Sequence, residues 1–212
     1  MLFICILISG ISPSFAGEGD SRKEVEEFSE HLGYVLGEDL TGHFKEYYNI
    51  DAIVRGIRKF EQGLAPKSDY LERITEIQKR FYDIKAEENA QKANEFLSKL
   101  SKNKNIISLE NDKLLYEEIT QGEGKEITAR DETVVIRHFV RVFDEEDMIN
   151  TFKNEKPVSI NLAETITGFT KGVMGMKVGG KRRLYIHPDL AYKTTGLVPP
   201  NSLLTIEVEI VS

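Results

Sequence analysis

The sequence contains a single cysteine, Cys5, which lies within the first sixteen residues. We interpret residues 1–16, MLFICILISGISPSFA, as a signal peptide cut after Ala16, because an uncharged apolar run precedes a small-x-small ending. The alternative is a buried N-terminal strand. Removal of the leader would leave a chain without any thiol, which excludes disulfides, cysteine-based catalysis and cysteine-ligated metal. The stability of the remaining chain would then come from packing or from a partner subunit.

Long apolar runs, basic clusters and metal-ligand patterns are also scarce. The apolar run over residues 2–8 is too short to span a bilayer. The formal net charge is −7 and none of it lies in the leader, so an acidic surface makes nucleic acid an unexpected partner. We interpret the densest basic run, residues 181–183, as the exposed start of a strand. His31, His43 and His187 are scattered without metal-ligand spacing, so we expect no metal site.

The N-terminal part of the chain has helical periodicity. Apolar residues recur at spacings of three and four over residues 24–64, with a break at residues 49–51. Asp51 is the expected N-cap of the second helix, and Gly63 and Pro66 are expected to end it. Because this block is too small to bury its own apolar faces, we expect it to dimerise.

A longer helix is predicted from near Ser68 to near Lys102. Its apolar seam fades across residues 85–92, KAEENAQK, and returns at residues 96–100. A stretch that is polar on nearly all sides is typical of a helix that crosses solvent between two packed ends. We therefore predict a helical arm that joins two bodies. The alternative is an ordinary amphipathic helix that lies along one domain.

The period changes to two after Lys104, which indicates β-strands. Apolar and polar residues alternate over residues 133–143 and 204–210, and a short helix is predicted near residues 168–176. The segment 168–210 contains no nucleophile, metal cluster or phosphate loop, so any chemistry there depends on apolar shape and a few hydrogen bonds. The predicted α+β organisation is a signal peptide at 1–16, a helical dimerisation domain at 17–67, a long connecting helix at 68–104 and a sheet domain at 105–212.

Two long segments resemble a known protein family. The first is similar to the helix, bend, strand and final strand of FKBP-type peptidyl-prolyl cis-trans isomerases, and it consists of residues 168–192, GFTKGVMGMKVGGKRRLYIHPDLAY, and 196–210, GLVPPNSLLTIEVEI. The second resembles the connecting helix and first strands of the exported, dimeric macrophage-infectivity-potentiator (Mip)-like branch, and it covers residues 86–136, AEENAQKANEFLSKLSKNKNIISLENDKLLYEEITQGEGKEITARDETVVI.

The resemblance implies an antiparallel sheet wrapped on a short helix at residues 105–212. It also implies proline-containing polypeptides as substrates, no cofactor, and a homodimer formed through the N-terminal helices. The expected location is the periplasm, the outer membrane or the cell surface, with no transmembrane anchor once the signal peptide is removed.

The family motif also implies the site residues. Phe169 takes the place of the usual Trp at the pocket floor, Ile166 offers its backbone N–H to a substrate carbonyl, and Tyr192 donates its hydroxyl to substrate. Plain core packing is the alternative for Ile166 and Phe169. The implied substrate-binding residues are His138, Met148, Ile149, Val158, Thr165, Leu197, Val198 and Ile206.

Besides Phe169, four positions depart most seriously from the family pattern. His138 replaces a pocket Tyr, and a satisfied core imidazole is the alternative there. Met148 and Ile149 replace a Phe and an Asp, so a hydrogen-bond acceptor is lost. Lys193 replaces the Gly that follows Tyr192 in the family. We therefore expect weakened catalysis.

Two functions follow from the resemblance. The first is a prolyl isomerase that acts on exported or unfolded proteins by binding a twisted amide better than either planar form, with no covalent step. The second is a dimeric periplasmic chaperone or interaction module with vestigial isomerase activity. The departures near His138 favour the second, and the intact motif at residues 166–192 favours the first.

Overall fold

A computed structural model describes residues 18–40, 48–129, 132–143, 147–150, 156–195 and 198–212. The chain divides into two compact units between Pro66 and Lys67. The predicted signal peptide, with Cys5, lies outside the described residues. Within the ranges given above, no helix is long and apolar enough to cross a membrane.

The first unit contains helices α1 (Glu18–Leu40) and α2 (Ile50–Glu61). The side-chain oxygen of Asn49 accepts a hydrogen bond from the N–H of Ala52 at 2.9 Å, so Asn49 is the N-cap of α2. The prediction of Asp51 as the cap is wrong. Asp51 lies in the first turn, where a carboxylate interacts favourably with the helix dipole. Gly63 follows the helix with φ of 72°, a left-handed conformation that commonly ends helices.

The apolar side chains of this first unit are largely exposed in the single chain. Phe60 of α2 is 80% exposed and Phe28 of α1 is 63% exposed. No residue of α2 is buried. The other exposed large apolar residues of these two helices and their flanks are Val25, Tyr34, Val35, Leu36, Tyr48, Ile50, Val54, Ile57 and Leu64.

Helix α3 (Tyr70–Leu100) is the first element of the second unit. The C-terminal two-thirds of this helix pack against the rest of that unit. The prediction that residues 85–92 cross solvent is wrong, because Ala86 is buried and Asn89 donates a hydrogen bond to the carbonyl of Pro200 at 2.8 Å. The contact face is a narrow stripe that continues through Ala93 to Leu97. Small alanines let this helix approach the domain closely, while the charged residues between them point outward.

Seven strands in the described part of the second unit form one antiparallel sheet, which confirms the predicted α+β fold. The strand order is β1-β2-β6-β7-β3-β4, and β5 also pairs with β3, so β4 and β5 share one edge. Helix α4 spans Thr167–Val173. The strands are β1 (Ile106–Leu109), β2 (Leu114–Thr120), β3 (Thr133–Val142), β4 (Asp147–Asn150), β5 (Val158–Asn161), β6 (Lys181–Ile186) and β7 (Leu204–Ile210).

The sheet buries apolar residues on both of its faces. One face packs with α4 around Phe169 and Val173, and it includes Leu114, Leu184, Leu204, Ile206, Val208 and Ile210. The opposite face packs with α3 around Ala93 and Leu97, and it includes Leu115, Tyr185 and Leu203. Successive residues therefore alternate between the two cores, as the period of two requires.

Strand β6 is fastened to α4 by glycines and by a buried arginine. A Cβ added to Gly172 would lie 2.6 Å from Cδ1 of Leu184, so glycine permits this close helix–strand contact. Arg182 is only 7% exposed, and its Nη1 donates to the carbonyls of Gly172 at 3.0 Å and Met174 at 2.9 Å. The prediction that residues 181–183 form an exposed strand start is therefore wrong for Arg182, which satisfies carbonyls at the end of α4.

Candidate active site

A cavity of about 340 Å³ opens between α4, β3, β7 and the segment that follows β6. Its walls are mainly apolar, with one imidazole and one carboxylate. The lining residues are His138, Val140, Glu164, Thr165, Ile166, Phe169, Tyr192, Leu204 and Ile206.

The entrance to α4 shapes one wall of this cavity. A 3-10 turn at Leu162–Glu164 leads to Thr165, and Ile166 then forms the N-cap of α4 with an extended backbone (φ −64°, ψ 145°). The hydroxyls of Thr165 and Thr170 both lie within hydrogen-bond distance of the carbonyl of Leu162, at 3.0 and 2.8 Å, and 2.8 Å from each other. These contacts hold the backbone on either side of Ile166 in place.

Among the described residues, two hydrogen-bond donors of the lining have no protein partner. Within the part of the chain that the structure describes, neither the backbone N–H of Ile166 nor the hydroxyl of Tyr192 donates to a protein acceptor. Both residues line the same cavity. A polar group of a ligand could therefore bind there without displacing an existing protein hydrogen bond.

Phe169 and Ile206 supply the apolar base of the cavity, and each is 4% exposed. Phe169 lies on α4, whose glycine face packs against β6, and Ile206 lies on β7 opposite Val140 of β3. Their positions depend on the close approach of α4 to the sheet. An apolar surface of this kind suits an apolar ring.

His138 lies in the cavity wall, on the same face of β3 as Val140. Burial lowers the pKa of the His138 imidazole, which favours its neutral form near neutral pH. The wall therefore contributes a polar, uncharged ring at this position.

Comparisons with known proteins give a consistent family. Residues 124–211 match the FKBP-type peptidyl-prolyl cis-trans isomerase family, and residues 25–117 match the domain amino terminal to FKBP-type peptidyl-prolyl isomerase. The peptidyl-prolyl cis-trans isomerase Mip of Chlamydia pneumoniae is 32% identical over 190 residues, which cover 88% of this chain and 73% of that protein. The chain belongs to the FKBP-type peptidyl-prolyl cis-trans isomerases.

A second group of relatives supports the same fold for this FKBP-type isomerase. The FKBP-type isomerase FkpA of Escherichia coli strain K12 is 27% identical over 199 residues, covering 84% of this chain and 72% of that protein. The crystal structure of FkpA from Escherichia coli superposes with a TM-score of 0.66 at 25% identity, covering 93% of this chain and 98% of that chain.

The cavity of this isomerase brings together six of the eleven site residues predicted from the sequence. They are His138, Thr165, Ile166, Phe169, Tyr192 and Ile206. The roles of these residues toward a substrate stay a prediction.

Of the other five predicted site residues, Val158 and Val198 are described and do not line the cavity. Val158 is half-buried against the core and pairs with Ile136, and Val198 is buried in the core. The structure describes Met148 and Ile149 only as backbone of β4, and Leu197 lies outside the described residues. Substrate binding by these residues remains a prediction.

Sequence reasoning missed three lining residues of this isomerase, namely Val140, Glu164 and Leu204. The period of two could have identified Val140, which shares a strand face with His138, and Leu204, which shares one with Ile206. Glu164 follows no periodic pattern, because it lies in the 3-10 turn before α4.

The lining suits binding chemistry better than bond-breaking chemistry. Across the described ranges, no group of three or more His, Cys, Asp or Glu side chains is placed to hold a metal ion. The cavity offers an apolar base, a neutral imidazole and two available donors. Such a site can hold a polypeptide segment and orient its carbonyl groups.

Proposed function

We propose that this isomerase accelerates rotation about X-Pro bonds of exported or unfolded proteins by non-covalent stabilisation of the twisted amide. The observation that supports this mechanism is the convergence of Ile166, Phe169, Tyr192 and Ile206 on one cavity, with two donors left available. A prolyl ring would pack on Phe169 and Ile206. The N–H of Ile166 and the hydroxyl of Tyr192 would donate to substrate carbonyls.

The energetics fit a site of this kind. Rotation of a peptide bond faces a barrier of about 18–20 kcal/mol, because amide resonance is lost at the twisted geometry. The twisted amide has less charge separation than the planar forms, so a dry apolar cavity favours it. An acceleration of about 10⁴-fold needs about 5.5 kcal/mol of differential binding, which apolar packing and two hydrogen bonds can supply.

We infer that catalysis is weaker than in relatives with the full aromatic pocket. Burial keeps the imidazole of His138 neutral, but this ring offers less apolar surface than the Tyr expected at that position. Ile149 has no carboxylate with which to accept a hydrogen bond from substrate. The cavity thus retains its base and donors and has fewer groups that hold the substrate.

A protease-coupled assay on a Leu-Pro or Phe-Pro peptide tests the assignment. Tyr192→Phe removes one donor without changing the ring, so kcat/KM should fall roughly three- to tenfold. Phe169→Ala removes the apolar base and should lower kcat/KM further. Tyr70→Phe, at an exposed tyrosine of α3, is the matched control and should retain full activity. Equal activity in all four proteins would exclude this site.

A homodimer is part of the proposal, and it is supported by the exposed apolar faces of α1 and α2. Apolar patches of this extent are uncommon on monomers and usually mark interfaces. We expect Phe28 and Phe60 to become buried against a second copy of the chain. Sedimentation should give a dimer at micromolar concentration, and Phe60→Glu should shift it to monomer. A wild-type monomer at that concentration would contradict this part of the proposal.

The second candidate is a dimeric periplasmic chaperone whose isomerase activity is vestigial, and the same exposed apolar surfaces favour it. The two functions separate in one experiment with a denatured client that aggregates. Phe169→Ala should lower isomerase activity in either case. If suppression of aggregation persists in Phe169→Ala and wild-type activity is negligible, the chaperone function is the correct one.

Export is proposed from the sequence pattern of residues 1–16. Expression of the full chain in a bacterial host, followed by fractionation and N-terminal sequencing, should give a periplasmic product that begins at Gly17. A cytoplasmic product that retains residue 1 would contradict export.

A further inference from the structure

Helix α3 is hydrogen-bonded to the segment that follows the cavity residue Tyr192. Asn89 Nδ2 donates to the carbonyl of Pro200 at 2.8 Å, and Asn201 Nδ2 donates back to the carbonyl of Ala86 at 3.2 Å. The hydroxyl of Tyr82 donates to the carbonyl of Thr194 at 2.9 Å. We call these three contacts the α3 clasp. Both ends of the segment are thus tied to one helix.

The described ends of this segment, Lys193 and Asn201, need such support because the backbone at Lys193 is strained. The N–H of Asn201 donates to the carbonyl of Lys193 at 2.8 Å and closes the segment at its two ends. Both residues have left-handed backbones, with φ of 50° for Lys193 and 51° for Asn201. Asparagine tolerates this conformation and lysine does so poorly, so the backbone at Lys193 is conformationally strained.

The clasp is the set of contacts through which α3 can influence the cavity. Leu203 packs on the α3 face of the sheet and the adjacent Leu204 lines the cavity on the opposite face. The sheet therefore separates α3 from the cavity. Beyond the ends of β6 and β7, however, Lys193 directly follows Tyr192, so a shift of Lys193 would be transmitted to Tyr192.

We propose that α3 positions the Tyr192 hydroxyl for catalysis through the clasp, with Asn89 and Asn201 as positioning residues. This inference rests on the role given to Tyr192 under the proposed function. The hydrogen bonds of Asn89 and Asn201 hold the strained backbone at Lys193 in place. The position of Lys193 in turn fixes the direction of the Tyr192 hydroxyl. Helix α3 is, in this view, also a support of the catalytic site.

The first test changes a donor on α3 without changing its size. Asn89→Asp replaces the donating amide with a carboxylate that repels the Pro200 carbonyl. The control is Asn94→Asp, the same change at an exposed position of the same helix. Asn201→Gly is a second variant, which keeps the left-handed backbone and removes the bond to Ala86.

We expect Asn89→Asp and Asn201→Gly to lower kcat roughly three- to tenfold with KM nearly unchanged, because the Tyr192 donor acts on the twisted amide. In the Asn89→Asp variant, hydrogen exchange of the backbone N–H of Asn201 should become about tenfold faster. Asn94→Asp should resemble the wild type in both measurements. Thermal unfolding of each variant checks that the fold is retained.

A double-mutant cycle decides whether the clasp acts through Tyr192. In a Tyr192→Phe background, Asn89→Asp should have little further effect on kcat, since the positioned hydroxyl is already absent. The inference is overturned if the two effects multiply, or if Asn89→Asp matches Asn94→Asp in kcat. A Tyr192→Phe variant with full activity would instead overturn the proposed function, while Asn201 exchange would still report on the clasp.

Discussion

The two faces of the sheet are built in different ways. On the cavity face, α4 approaches β6 through glycines, and Arg182 of β6 donates to carbonyls at the end of that helix. On the opposite face, α3 packs through alanines and through Phe96, whose ring centroid lies 5.1 Å from that of Phe143 and 5.7 Å from that of Tyr185. Both helices thus pack on apolar residues of the sheet, and α4 adds close backbone contact with β6 and the hydrogen bonds of Arg182.

This difference predicts which substitutions should affect activity. A change between α4 and β6 shifts Ile166 and Phe169, which lie on or next to α4, so it should alter stability and catalysis together. A change in the apolar layer under the C-terminal turns of α3 should alter stability and leave the catalytic rate of folded molecules close to wild type. The following predictions test this contrast.

The largest effect is expected for Arg182→Met. The change removes three hydrogen bonds from the guanidinium, to Gly172, Met174 and Glu118, and leaves buried carbonyls without donors. We expect the free energy of unfolding to fall by about 4 kcal/mol, measured by denaturant titration. Arg183→Met removes the ion pairs with Glu117 and Glu207 from an arginine side chain that is 36% exposed, and it should change stability by less than about 1 kcal/mol. Similar losses of stability in Arg182→Met and Arg183→Met would contradict the expectation that the buried arginine contributes more.

Leu97→Ala tests the opposite face of the sheet. Leu97 is 2% exposed in the layer with Leu115 and Tyr185, so truncation should lower the free energy of unfolding by about 3 kcal/mol. The control is Leu71→Ala on the same helix, where the side chain is 63% exposed and little stability should be lost. In both variants we expect kcat/KM of the folded protein to stay within about twofold of wild type.

Gly172→Ala introduces one methyl group between α4 and β6. The added Cβ would lie 2.6 Å from Leu184, so α4 or the leucine must shift, and stability should fall by about 1–3 kcal/mol. Unlike Leu97→Ala, this variant should also lower kcat/KM. Gly56→Ala is the control, because nothing lies within 4 Å of its added Cβ. A Gly172 variant with unchanged kcat/KM would show that the cavity tolerates movement of α4.

The smallest effect is a pH dependence from His138 and His187. Burial lowers the pKa of both imidazoles below the ordinary value of 6.5, so the unfolded chain binds more protons than the folded protein. Stability should therefore be fully present above pH 6.5 and decrease as the pH falls below it. His138→Phe should flatten part of this decrease, while His31→Phe, at an exposed position, should leave it unchanged.

The same contrast explains which parts of the fold were predictable. The alternation in β6 and β7 and the helix near residue 168 follow from local periodicity, and the sequence motif identified Ile166, Phe169 and Tyr192 as neighbours of one site. The N-cap of α2 was assigned to Asp51 in place of Asn49, because either side chain can cap a helix and only the backbone geometry separates them.

Two wrong predictions have a common cause. Residues 85–92 of α3 were expected to cross solvent, and Arg182 was expected to be exposed. In both places polar or small residues are buried against partners distant in sequence, namely Pro200 for Asn89 and α4 carbonyls for Arg182. A pattern search that looks for large apolar residues cannot register such contacts.

Local patterning in this chain thus accounts for the helices, for the strands and for the family to which it belongs, because hydrophobic periodicity and short motifs are properties of neighbouring residues. The cavity forms only when strands far apart in sequence pair and bring β3, α4, β7 and Tyr192 together. The same pairing brings α3 into contact with the segment after Tyr192. Contacts such as Asn201 with Ala86, over a hundred positions apart, are set by chain topology and side-chain geometry. No local pattern contains that information.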